Sequence, residues 1–241
     1  MQDVLPALVE RGTHPTYILV ENVAGFETST TRTSINRLLH ELGYHTTEFL
    51  LTPRQYGIPN SRLRYYLMAR LIPFTVSPDL GILRCLPGDN THYIPSTISD
   101  YLDKNIDPHT AISDRVLARW GRLFDIVYPS STNSCCFTRG YSHLVEGSGS
   151  ILQLNDALET SSVFDVYFSQ QEKGEADAVQ TLHQLQLRYF SPEELLRLFH
   201  LSTPSRKFLW PEHVSRKTKY RLIGNSVNVA VVGRLITFLC T

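Results

Sequence analysis

Residues 17–20, Tyr-Ile-Leu-Val, form a short apolar run that stops abruptly at Glu21-Asn22, and no other feature constrains the chain as strongly. An apolar run without alternation predicts a buried strand of a parallel sheet. Polar residues just after such a strand stand where open α/β sheets hold their ligands. Ile35, Leu38, Leu39 and Leu42 then recur at helical spacing, with Gly43 as the stop. Tyr44 to Leu51 reads as a second strand and Tyr65 to Leu71 as a third. Strand, helix, strand, loop, strand is an α/β signature.

Between the second and third strands, residues 52–64 carry Pro53, Gly57 and Pro59, which predicts a shaped loop. Residues 72–109 hold five prolines and little periodicity, so a boundary is expected near residue 73. Helical spacing returns at Ile112, Val116, Trp120 and Leu123, and the polar stretch 130–141 is unlike a core element. Gln170 to Gln180 is expected to be a mobile surface loop. Ser191-Pro192-Glu193-Glu194 is a helix start, with serine as cap, proline in the first turn and Glu194 closing a capping box. A last helix begins after Gly224-Asn225-Ser226 and carries Val227, Ala230, Val231, Leu235 and Phe238 as an apolar stripe.

Lys+Arg and Asp+Glu both total 23, so net charge offers no argument for nucleic-acid binding. The zero hides an asymmetry along the chain. Residues 141–187 hold seven acidic and one basic residue, whereas 188–221 hold eight basic and three acidic. Four cysteines, at 85, 135, 136 and 240, contain no CxxC pair, which argues against a structural zinc and against a disulfide scaffold. No stretch approaches the roughly 20 apolar residues of a membrane span, so a cytoplasmic or nuclear protein without a membrane partner is expected. Nucleotide-binding GxGxxG and GxxxxGK[ST] motifs and the metalloprotease HExxH are all missing from the sequence.

The chemistry the residues suggest is then local. Glu21, at a strand end, is either a capping or salt-bridged acid or a group that holds a ring nitrogen or exocyclic amine; burial would raise its pKa and let it donate a proton. Arg62 and Arg64 alternate, so on an extended segment they share a face. That suits a carboxylate, phosphate or base edge as well as an ordinary surface pair. Gly224-Asn225-Ser226 at a helix start reads either as an anion site or as a tight turn and cap.

Taken together, Glu21-Asn22-Val23, Asn60-Ser61-Arg62-Leu63-Arg64 and Gly224-Asn225-Ser226-Val227-Asn228 resemble, in order, three motifs of the cytosine-C5 methyltransferases. Cys136-Phe137-Thr138, with Gly140-Tyr141 and Val145-Glu146-Gly147-Ser148-Gly149-Ser150 after it, resembles the hallmark of the DNA-methyltransferase homologues that modify the anticodon loop of tRNA-Asp. The resemblance implies the C-terminal part of an adenosylmethionine-dependent, Rossmann-like domain with an inserted target-recognition region. It divides the chain into 1–72, a partial catalytic domain, 73–190, the target-recognition region, and 191–241, helices returning to the catalytic domain. It further implies that Glu21 contacts the ring nitrogen and amine of a flipped cytosine, that Arg64 holds its O2 and that Arg62 supports the site. Asn225 and Ser226 would lie near S-adenosylmethionine, and Cys136, Phe137 and Thr138 would face RNA.

The same comparison predicts a departure. The family places a glycine-rich cofactor loop and a Pro-Cys-Gln nucleophile before the position of Glu21, whereas residues 1–20 hold no cysteine. Met1 is therefore expected to be an internal start, the strand at 17–20 to lack neighbours, and the chain as given to be poorly soluble and inactive. Cys136 does not fill the gap, since the Cys-Phe-Thr cysteine of the family is not its nucleophile. Two other functions stay open: a DNA cytosine methyltransferase, and a non-catalytic RNA-binding or regulatory fragment resting on the basic stretch Arg188 to Arg221.

Overall fold

The computed structural model describes residues 1–75 and 81–241, and the chain divides into two compact units. The first comprises Met1–Gln55, Arg62–Tyr93 and Ala230–Thr241; the second comprises Tyr56–Ser61 and Ile94–Val229. Part of the proline-rich stretch, 76–80, lies outside the described residues.

In the first unit the elements are α1 (Val4–Glu10), β1 (Tyr17–Val23), α2 (Thr30–Glu41), β2 (His45–Leu51), β3 (Arg64–Arg70) and β4 (Ile82–Leu83). The strands form one mixed sheet in the order β1-β3-β2-β4. Ser29 caps α2 by accepting the Arg32 N–H, and Gly43, at φ +82°, lets the chain leave the helix in the left-handed region. Strand alternation sorts β3 between two layers. Tyr65, Leu67 and Ala69 pack with Leu39 of α2 and Leu5 of α1. Phe49 of β2, on the other face, meets Phe238 edge to face at 6.0 Å. Phe238 belongs to the last helix, α8 (Val229–Cys240), and Arg70 donates to the Leu239 carbonyl there at 3.2 Å.

The expected strands are present, with one correction. The run at 17–20 is not parallel to its neighbour, although it lies at an edge as its expected lack of neighbours implies. β1 stands at the sheet edge, pairs antiparallel with β3, and leaves Ile18 to Asn22 only half-buried. It also continues through Glu21 and Asn22 to Val23, so the polar stop lies inside the strand.

The second unit contains α3 (Asp114–Trp120), β5 (Ile126–Val127), β6 (Ile151–Gln153), α4 (Thr160–Glu172), α5 (Val179–His183), β7 (Leu187–Arg188), α6 (Pro192–Leu198) and α7 (Arg216–Gly224). Its three short strands run in the order β5-β6-β7 beside a core of Leu117, Ile151, Phe164, Tyr167 and Leu182. The expected surface loop between Gln170 and Gln180 is present but shorter, six residues at 173–178 that are exposed except for Ala178. α4 extends to Glu172, α5 begins at Val179, and Thr181 donates to the Gln170 side chain at 2.5 Å across the turn between them. Residues 192–198 and 216–224, read from the sequence as returning to the first part, group with the second unit, and only Ala230–Thr241 joins the first.

The run Arg216–Cys240 is, by length and composition, long and apolar enough to cross a membrane, which the sequence reading did not anticipate. It is two helices, parted at Asn225–Asn228. Asn228 is buried and donates to the Leu198 carbonyl at 3.2 Å, and the Val229 N–H donates to the Phe199 carbonyl at 3.0 Å.

Candidate functional site

Antiparallel register decides what Glu21 can reach. Glu21 stands opposite Tyr66 and Val23 opposite Arg64, so Glu21 and Arg64 are diagonal neighbours on one face of the sheet. Their side chains meet, Arg64 Nε lying 3.3 Å from Glu21 Oε1, with the arginine side chain 15% and the glutamate 29% exposed. Glu21 is thus a paired acid within reach of solvent, and the burial expected for it is not realised. A second Arg64 nitrogen donates to its neighbour, the Leu63 carbonyl, at 2.8 Å. Arg62 is buried, and its backbone N–H donates to the Thr52 hydroxyl at 3.1 Å, which pins the approach to β3.

The remaining motif residues lie in the second unit, and the Cys-Phe-Thr segment is their hub. Asn60 is wholly buried; its amide donates to the Ser134 hydroxyl at 3.1 Å and to the Cys135 carbonyl at 2.9 Å. Ser134 donates to the Pro59 carbonyl at 2.8 Å, and Ser61 donates to the Asn133 side chain at 2.8 Å. On its other side the segment touches Gly224: a Cβ built there would lie 2.2 Å from the Thr138 carbonyl carbon and 2.3 Å from the Arg139 nitrogen. No real side chain sits so close, so glycine is required for α7 to end against this backbone.

Phe137 is wholly buried, in contact edge to face with Tyr141 at 5.0 Å and Phe190 at 5.2 Å. It therefore shapes the segment from within and presents no surface to RNA. Cys136 and Thr138 are half-buried, and the Thr138 N–H donates to the Ser148 carbonyl at 2.9 Å. Burial pushes the neighbouring Cys135 thiol up to about 11, so it carries no thiolate at neutral pH.

Tyr141 ties this knot together. Its hydroxyl accepts the Phe190 N–H at 2.9 Å and donates to the Ser150 carbonyl at 2.8 Å, while the Tyr220 hydroxyl donates to the Phe190 carbonyl at 2.6 Å. Gly149, at φ +147°, passes where a Cβ would lie 2.5 Å from Phe137 and 2.6 Å from Tyr141. Sequence reasoning quoted Tyr141 and Gly149 without seeing this role. The available signal was the aromatic and glycine spacing around Cys136, and their partners Phe190 and Tyr220 come much later in the chain.

Gly224-Asn225-Ser226 closes α7, and the helix expected after it, α8, begins at Val229. Gly224 ends α7, Asn225 is its C-cap, and the Ser226 hydroxyl donates to the Ile223 carbonyl at 2.7 Å. At the Gly224 end itself carbonyls rather than free N–H groups gather. Asn225 is exposed. These two residues do not make a cofactor cradle by themselves, and no glycine-rich strand-to-helix turn accompanies them in this sequence.

Comparison with known proteins gives the family. Residues 7–239 match the family model described as C-5 cytosine-specific DNA methylase. A bovine protein named tRNA (cytosine(38)-C(5))-methyltransferase is 34% identical, the match covering 99% of this chain and 73% of the relative. A protein of the same name from Schizosaccharomyces pombe is 37% identical over 98% of this chain and 67% of its own length. Among solved structures, a mutant of Spodoptera frugiperda DNMT2 superposes with a TM-score of 0.83 at 34% identity, covering 99% of this chain and 70% of that one. The S. pombe Dnmt2 methyltransferase superposes at 0.79 and 37% identity, with coverage of 99% and 70%. With a family model spanning nearly its whole length, the chain belongs to the C-5 cytosine-specific DNA methylase family.

Proposed function

We propose that this chain serves the S-adenosylmethionine-dependent methylation of cytosine C5 in a tRNA anticodon loop, that of tRNA-Asp, and supplies the groups that hold the base. The Glu21–Arg64 pair carries the reading. A cytosine offers an amine and a ring nitrogen beside a carbonyl oxygen, a set that a carboxyl and a guanidinium can satisfy side by side. The two groups stand 3.3 Å apart, facing the same way and partly open to solvent. A base entering between them exchanges one ion pair for two sets of hydrogen bonds. Addition of a thiolate at C6 drives electrons toward the ring nitrogen and O2. The Arg64 cation at O2 would stabilise that charge while Glu21 holds the amine and ring-nitrogen edge. The names of the bovine and yeast relatives favour a tRNA as the source of the cytosine. An unpaired base is also cheaper to extrude than one in a duplex.

The covalent half of the reaction needs a nucleophile. None of the four cysteines stands in a Pro-Cys-Gln motif, and Cys135 is held protonated. S-adenosylmethionine supplies the methyl group when bound, but Asn225 and Ser226 alone do not fit it. The reading is therefore that these 241 residues grip the base without completing the transfer. Free thiols at all four cysteines suit a reducing cytoplasm or nucleus.

The test incubates the chain with tRNA-Asp transcript and labelled adenosylmethionine, beside a binding measurement on the same transcript and on duplex DNA. Binding to the transcript in preference to DNA, weakened by Glu21→Gln, with label at background, is expected. Label transferred above background would overturn the inactivity, and a preference for duplex DNA would move the substrate to DNA.

A further inference from the structure

Eight cations lie between Arg188 and Arg221, and the fold sorts them into two sets. Arg188 is buried against Glu194 at 2.8 Å, Arg197 meets Asp103 at 2.6 Å, Arg216 meets Asp107 at 2.7 Å, and Lys219 lies 3.4 Å from Glu193. These four are committed to ion pairs within the second unit. Arg206, Lys207, Lys217 and Arg221 are exposed and belong to no ion pair among the described residues. The first two differ from the others in their setting: they are followed directly by Phe208, Leu209 and Trp210.

That short segment is built rigidly. Thr203-Pro204-Ser205-Arg206 is a tight turn with proline at its second position. The Arg206 N–H donates to the Thr203 carbonyl at 3.1 Å and the Thr203 N–H returns a bond to Arg206 at 2.8 Å. Thr203 Oγ1 also accepts the Arg206 N–H at 3.1 Å, and the Phe208 N–H donates to the Ser202 hydroxyl at 3.3 Å. Beyond the turn, Phe208 meets Trp210 edge to face at 4.8 Å, and the Lys219 ammonium lies 5.3 Å from the Trp210 ring centroid, clamping that ring onto α7. Phe208 remains 39% exposed and Leu209 82%. An apolar ledge is thus fixed from behind, faces solvent in front, and is flanked by two cations that no carboxylate neutralises.

An aromatic side chain next to uncompensated cations is the arrangement that grips single-stranded nucleic acid, the ring taking a base and the cations its phosphates. A protein partner or a bilayer would draw on a larger apolar area than Phe208 and Leu209 offer. We infer that the Arg206–Trp210 segment is an RNA contact site, with Phe208 stacking on an unpaired base and Arg206 and Lys207 holding the adjoining phosphates. The inference rests on the RNA reading above and adds to it a specific platform remote in sequence from the Cys-Phe-Thr segment.

The experiment measures binding of the full chain to a labelled anticodon stem-loop and to a fully paired hairpin, as a function of salt. The double variant R206E/K207E should weaken stem-loop binding about tenfold or more and lower the salt slope by about 1.4, roughly 0.7 for each lost single-strand phosphate contact. Phe208→Ala should weaken the stem-loop about tenfold and leave the paired hairpin unchanged. Thermal melting of the double variant should match the parent, because both side chains are exposed. If the parent binds the stem-loop and both variants bind it equally well, the platform is refuted while the RNA reading stands. Loss of binding to phosphatidylserine vesicles with RNA binding intact would also refute it, and would assign the ledge to a membrane surface. Failure of the parent to bind any RNA would overturn the platform and the RNA reading together.

Discussion

A methyl group placed on Gly224 would meet the Thr138–Arg139 backbone at 2.2–2.4 Å, and backbone cannot swing aside as the tip of a side chain can. In an open helix, alanine would be favoured over glycine by about 1 kcal/mol. Here overpacking of about 1–3 kcal/mol opposes that gain, so Gly224→Ala should come out destabilising. Its midpoint in urea should fall with an unchanged slope; a midpoint that rises would show that the segment yields. The motif Gly224-Asn225-Ser226 was legible in the sequence, but its reason was not. The contact that demands glycine lies on a segment far away along the chain. Glu21 and Arg64 show the same division, since their residue types could be read directly whereas their diagonal pairing depends on strand register.

Arg32 of α2 donates to Glu48 of β2 at 2.7 Å, and Tyr65 of β3 donates to the same carboxylate, so one acid joins a helix to two strands. Burial alone would raise the pKa of Glu48, but hydrogen bonds from Arg32 and Tyr65 outweigh it and hold the carboxyl below its usual value. A group depressed in the folded state stabilises fully above its unfolded pKa, about 4.3 for glutamate, and loses that contribution as pH falls through the folded value. Melting temperature followed downward from neutral pH should therefore drop below about pH 4. Glu48→Gln should melt lower than the parent at pH 7, with the gap narrowing in acid; a constant gap would contradict the linkage. On α6, Glu194 accepts both Arg188 nitrogens at 2.8 Å and the Ser191 N–H at 2.7 Å. Glu194→Ala would strand a buried guanidinium and should cost about 3–5 kcal/mol in chemical denaturation. The capping box that begins α6 was read from four consecutive residues, because a cap is a local contact. Arg188 as the partner of Glu194 was not, since nothing in the spacing distinguishes it from the seven other cations of that stretch.

Across the molecule, the first unit leaves one edge of its sheet open among the described residues. β1 pairs only with β3 among the described strands, and Tyr17 and Val23 at its two ends are exposed. An open apolar edge is a template for pairing with another chain. The parent should therefore scatter more light as its concentration rises, and Y17K/V23K should reduce that scattering while leaving the melting temperature in place. Scattering that does not respond to these lysines would locate association elsewhere. The second unit is entered twice, at Tyr56–Ser61 and again from Ile94, and Asn60 of the first passage donates to Ser134 and Cys135 of the second.

Sequence alone determined the alternation of strand and helix in the first 71 residues, the caps, the order of the motifs and the family they imply. Each of these depends on contacts or periodicities that close within a few residues, and a window of that length contains them. Tertiary structure alone decided that the apolar run at 17–20 pairs antiparallel, that the polar Cys-Phe-Thr stretch encloses a buried aromatic knot, and which cations remain unpaired. Those outcomes depend on which distant segment covers a residue, and burial by a distant partner leaves no trace in local spacing.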